Sequence, residues 1–127
     1  MVTVTQAKRR ILALMPPLDG WNVYEDTALA DAPPWVVVSV TQTRRDVNEA
    51  VNVTGRLFTL TVRVVGGSVD GVDRVCDLLQ DAFDGRRPES MAALVPWSDS
   101  GTYPSELTDP QTGRPHPMRV LAWRVGE

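Results

Sequence analysis

The chain has 127 residues, 43% of them apolar, enough for one domain (1–127) with a substantial core and too few for two comfortable ones. Its formal charge of −3, with the cations scattered as twelve arginines and one lysine, excludes a general electrostatic grip on nucleic acid, which needs clustered cations to neutralise phosphates. The single cysteine, Cys76, excludes an internal disulfide and a cysteine-built zinc site.

In chain order, Thr3 or Thr5 can cap a first helix in which Val4, Ala7, Ile11, Leu14 and Met15 share a face, and Pro16-Pro17 stop it. This opening apolar run is too short for the hydrophobic segment of a signal peptide, and no stretch approaches membrane-spanning length; the expectation is a soluble protein made in the cytoplasm, with no membrane partner. "WNVYE" (21–25) reads as a short strand. Pro33-Pro34 then delivers the chain in extended form into "WVVVSVTQ" (35–42), a β-branched strand that is apolar on both faces at its start. "RRDVNEAVNVTG" (44–55) interrupts with charges and turn formers. Beyond it, "RLFTLTVRVV" (56–65) alternates Phe58, Leu60, Val62 and Val64 with Thr59, Thr61 and Arg63, as a strand buried on one face does. The two long strands form a hairpin. Its loop of about a dozen residues exceeds the usual two to five, so it reads as a projecting functional arm.

Gly66-Gly67 end that strand in a tight turn, Ser68 caps a second helix, and Gly85 closes it. "ALVPW" (93–97) lies within a further candidate strand, Ala92 to Trp97; "DPQTGRPHP" is a loop, and "MRVLAWRV" (118–125) a last strand. This order predicts an α+β fold: a mostly antiparallel sheet of four to five strands, two helices packed on it, and a long projecting hairpin loop.

The second helix carries five aspartates, Asp70, Asp73, Asp77, Asp81 and Asp84. At about 100° per residue they fall within roughly 80° of arc, opposite Val72, Val75, Cys76, Leu79, Ala82 and Phe83. Such a stripe is a solvated face, a surface used against a partner, or the lining of a pore. Asp81 and Asp84 sit at the end where the helix dipole disfavours negative charge, so they cost stability unless something uses them. A metal site is disfavoured because a helix spreads its carboxylates instead of wrapping them around an ion, and no EF-hand loop is present. "VRVVGGSVDG" matches neither dinucleotide nor Walker pattern, and its aspartates would repel a phosphate. No cofactor is expected. Cys76 reads as a buried inert thiol, and His116 as a surface loop residue without a nucleophile motif around it. The four tryptophans, Trp21, Trp35, Trp97 and Trp123, read as core residues, with Trp97, beside a proline and polar turns, the best candidate among them for an interface anchor instead.

The layout of "ALMPP", "WNVYEDTALADAPPWVVVSV", "RRDVNEAVN", "GRLFTLTVRVVGG" and "SVDGVDRVCDLLQDAFDG" resembles the tail-terminator, or tail-completion, proteins of long-tailed bacteriophages over residues 1 to 88. The resemblance implies a non-enzymatic virion protein of the tail–neck junction. It would assemble as a hexameric ring on the tail-tube protein, end tube polymerisation, meet the head–tail connector protein, and let DNA pass through its lumen without specific binding. In such a ring Arg44, Arg45, Asp46, Asn48 and Glu49 of the arm, with Trp97, become candidate contacts to a neighbouring subunit or the tube, and the aspartate stripe a candidate lumen lining. Another phage neck protein of head-closure type, or a small dimeric ligand-binding regulatory module, would share the element order.

Overall fold

In the computed structural model, which describes residues 2–28 and 32–127, the first helix α1 (Val4–Leu12) begins at Thr3. The Thr3 hydroxyl accepts the Gln6 backbone N–H at 3.2 Å, and the Gln6 side chain accepts the Thr3 N–H at 3.0 Å, so two donors that a helix start leaves unpaired are satisfied reciprocally. Ala7 and Ile11 are buried as expected. Val4 is not: it is 38% exposed, and Val2 takes its place in the core. Val2 precedes the cap and joins the same buried cluster as Ala7 in the second turn, the arrangement of a hydrophobic staple, which turns Val4 outward. Lys8 pairs with Asp26 and Glu25, tying α1 to the end of the first strand.

Six strands follow, one more than the upper expectation: β1 (Asn22–Glu25), β2 (Trp35–Val47), β3 (Val53–Val65), β4 (Val95–Asp99), β5 (Tyr103–Thr108) and β6 (Pro115–Gly126), with α2 (Val69–Phe83) between β3 and β4. The sheet order is β1-β2-β3-β6-β4, and β5 also pairs with β6. All pairings are antiparallel except β1 with β2. After α2 the strands differ from the sequence reading in three respects. β4 starts three residues later, because Met91 and Leu94 are buried in an irregular segment whose N–H groups reach Pro88 and Arg86 carbonyls. β5 falls in a stretch to which the sequence reading assigns no strand; its ladder with β6 is irregular, and it is exposed along most of its length, so nothing forces an alternating pattern. β6 begins at Pro115, which places His116 in a strand and not in a loop.

Register sorts the side chains into two faces. Val38, Val62 and Leu121 lie in one row and Val40, Leu60 and Trp123 in the next. These rows pack under both helices, with Ile11 from α1 and Val72, Cys76, Leu79 and Phe83 from α2 in one cluster. Intervening rows, Ser39–Thr61–Ala122 and Thr41–Thr59–Arg124, face the other way. Only a small cluster of Trp35, Val37 and Val65, flanked by Tyr24 and Met118, makes that second face apolar, and only at one end. The sheet is therefore buried on one side and polar over much of the other, which explains the clean alternation of β3.

The hairpin corrects the expected twelve-residue loop. Residues 44–47 and 53–55 are strand, and the connection is Asn48 to Asn52. The Asn48 side-chain oxygen accepts the N–H groups of Ala50 and Asn52, each at 3.0 Å, and closes the turn. β6 pairs with β3 only as far as Leu57. Beyond that point β2 and β3 continue as a two-stranded ribbon, Arg45 opposite Arg56, Asp46 opposite Gly55 and Val47 opposite Val53. A ribbon wet on both faces has no reason to alternate, and irregularities between Gln42 and Arg44 and between Asp46 and Val47 break what period remains.

At the β3–α2 junction Gly66 does more than turn the chain. A Cβ there would lie 2.6 Å from Cη2 of Trp21 and 3.1 Å from a Val72 methyl, so the glycine allows the half-buried indole to approach the backbone.

Candidate functional site

The ribbon presents Arg44, Arg45, Asp46, Asn48 and Glu49 as exposed side chains. They do not form one contact surface. Arg44 Nε pairs with Asp46 Oδ1 at 3.0 Å within the same strand, and Asn48 is spent on the turn. Arg45 makes no ion pair among the described residues and lies directly across the ladder from Arg56. Like charges directly opposite one another repel, so this pair disfavours the ribbon standing alone. Arg56 is itself held: its Nη1 donates to the Val2 carbonyl at 3.0 Å, while its buried Nε finds no partner.

Sequence reading overlooked two valines at the tip, Val47 and Val51, both well exposed. Val51 is 78% exposed and has φ = +62°, a left-handed conformation that a β-branched residue adopts only at a cost of about 1–2 kcal/mol. Asparagine tolerates that conformation. Val51→Asn is expected to raise the stability of the isolated chain by about 0.5–1 kcal/mol, read as a higher urea midpoint with an unchanged slope; a lower midpoint would show that the valine is not strained.

The five aspartates of α2 divide among three roles. Asp70, at the helix start beside the Ser68 cap, Asp77 and Asp81 are exposed. Asp73 turns inward, where it accepts the Thr102 hydroxyl at 2.6 Å and Arg119 Nη1 at 3.3 Å. Asp84, at the helix C-cap, accepts the indole N–H of Trp123 at 2.7 Å. No basic residue lies in the last turn of α2 to offset Asp81 and Asp84.

Arg119 is the centre of the most connected polar cluster. Its Nε reaches Asp99 Oδ1 at 2.9 Å, its Nη2 the other oxygen of the same carboxylate, and its Nη1 Asp73, so one guanidinium on β6 binds β4 and α2 together. The hydrogen bond from Arg119 holds the Asp99 carboxyl below its ordinary range, against the opposing effect of partial burial. Cys76 lies near this cluster in the core, and burial pushes its thiol up to about 12, which keeps it protonated and inert. Among the described residues no three His, Cys, Asp or Glu side chains converge to hold a metal ion. No helix among them is long and apolar enough to cross a membrane.

On the β4 edge Trp97 is 57% exposed, which corrects its reading as a core residue: it lies on an edge strand that is exposed along its length, whereas Trp123 and Trp35 are buried. The Arg124 guanidinium stacks on its ring, 3.5 Å from the centroid, and so orients an otherwise free indole. Trp97 also walls an open cleft of about 230 Å³, floored by Leu121, Ala122 and Trp123 and rimmed by Gln80, Asp84, Pro96, Ser98 and Asp99. No protein-family model matches the chain, and no curated protein is significantly similar to it. Two surfaces stand out among the described residues: a ribbon with an exposed arginine that makes no ion pair and two exposed valines near its tip, and an aromatic cleft with acidic residues beside it at the β4 edge of the sheet.

Proposed function

We propose that this protein is a structural component of the tail-terminator type. It assembles as a ring on the end of a phage tail tube, ends tube polymerisation and offers its other side to the head–tail connector, with DNA passing through the lumen. The observation that carries the reading is the ribbon at the end of β2 and β3. It continues past Leu57, where the β3 ladder with β6 begins, and it carries an opposed arginine pair and two exposed valines that nothing among the described residues covers. A protruding element of this kind is stabilised by contact with another chain, and a subunit that meets its neighbours through two unlike surfaces builds a ring when the rotation between copies closes. The resemblance over residues 1–88 supplies the identity of the assembly, and Asp70, Asp77 and Asp81 remain free to face a lumen, where they would repel DNA instead of retaining it.

Native mass by light scattering over a concentration range, with and without magnesium, followed by negative-stain imaging with polymerised tail tube, tests the proposal. The expected species is a closed ring of about six subunits, free or capping the tube. A stable dimer at every concentration, or a monomer that binds no tube, overturns it. Arg44→Glu combined with Arg45→Glu is expected to weaken ring formation by about tenfold or more without lowering the melting temperature of the subunit, because both side chains are exposed. Unchanged assembly by the double variant would remove the ribbon from the interface.

A further inference from the structure

We infer that the cleft between the last turn of α2 and strand β4 receives the Arg45 side chain from the ribbon of a second copy of this chain. The inference rests on the ring reading above and names the two surfaces that meet. Each is electrostatically incomplete alone. At the cleft, Asp84 has one oxygen bonded to Trp123 and makes no ion pair among the described residues, not even with Arg86 or Arg87 just beyond it, at a helix end that carries no basic residue in its last turn. The negative end of the helix dipole adds to that deficit, so a cation placed there is favoured. On the ribbon, Arg45 is exposed, faces Arg56 across the ladder, and makes no ion pair among the described residues.

The cleft suits a guanidinium in shape as well as in charge. Trp97 and Pro96 wall it and Trp123 floors it, so an entering arginine stacks its planar head on aromatic surface while donating to Asp84. Arg124 occupies one face of the Trp97 ring and leaves the remainder of the exposed indole for the incoming residue. A chain cannot fill its own cleft. The ribbon continues the direction of β2 and β3 beyond the sheet, whereas the cleft lies on the β4 edge, across β6. The contact therefore joins unlike surfaces of successive copies, the ribbon end of one and the β4 edge of the next, head to tail.

A double-mutant cycle with Arg45→Gln and Asp84→Asn tests the pairing, since the asparagine carbonyl keeps an acceptor for the Trp123 N–H and the fold is retained. Each single variant is expected to raise the concentration at half-assembly by about tenfold, and the double variant by no more than either single, because both remove the same bond. Additive losses, or single variants that assemble like the parent, overturn the cleft assignment while leaving the ring standing. If the parent protein forms no ring, alone or on a tube, both readings fall together.

Discussion

Trp123→Ala is expected to cost about 3–5 kcal/mol of folding stability, the largest effect of any single substitution proposed for this chain. Trp123 is 2% exposed and sits in the central row of the sheet, opposite Leu60 on β3 and Pro96 on β4. Its ring meets Phe83 of α2 at 5.1 Å between centroids and 58° between planes, a tilted aromatic contact worth more than its area alone. The same indole donates to Asp84 and so pins the C-terminal end of α2 to β6. Alanine removes all of this and leaves a void bordered by Leu60, Phe83 and Leu121, which are too well packed to close over it. A fall in melting temperature of roughly 10–20 °C is the expected reading for a chain of this length. Trp123→Phe keeps one aromatic ring and loses the bond to the exposed Asp84 carboxylate and part of the buried indole volume, so its cost is about 1–2 kcal/mol. If the alanine variant lost no more than the phenylalanine variant, α2 would not be seated on β6 as described.

The contrast between α2 and the ribbon explains what a reader of the sequence could and could not see. α2 was legible because every signal agreed: a Ser68 cap, apolar residues at helical spacing, and a glycine just beyond its end, and the buried set matches that spacing except for the half-buried Ala82. β3 was legible between Phe58 and Val64 because one face is buried under helices and the other meets water. The ribbon was not, since solvent on both sides removes the pressure for alternation, and its charged residues looked like a loop. β5 escaped notice for the same reason, as a largely exposed strand with a broken ladder. Contacts that depend on register were beyond reach altogether. That Arg45 faces Arg56 follows from an irregularity after Gln42, and that Arg119 lies between Asp73 and Asp99 follows from where three distant segments pack. Helical spacing grouped the five aspartates correctly on one side, yet it could not separate Asp73 and Asp84, which bond to side chains of other elements, from Asp70, Asp77 and Asp81.

Arg119→Met is expected to cost about 1–3 kcal/mol near neutral pH, and to do so with a distinctive dependence on acid. The Arg119 side chain is 15% exposed and holds two carboxylates that would otherwise face each other without a cation. Methionine fills the stem's place beside the core but leaves both carboxylates unpaired; because Asp73 and Asp99 keep some contact with water, the loss falls short of that for a fully buried pair. The pH dependence follows from Asp99, whose carboxyl in the folded state titrates below the ordinary 3.8, chiefly through its hydrogen bond from Arg119. A group whose folded value is depressed contributes its stability in full above the unfolded value and loses it as pH falls through the folded value. The parent chain therefore loses this contribution on acidification, whereas the methionine variant has already lost it. Urea midpoints taken from about pH 6 down to about pH 3 should show the gap between the two proteins narrowing as pH falls. A gap that stayed constant would mean that Arg119 contributes only packing, and that β4 is held to α2 by some other contact.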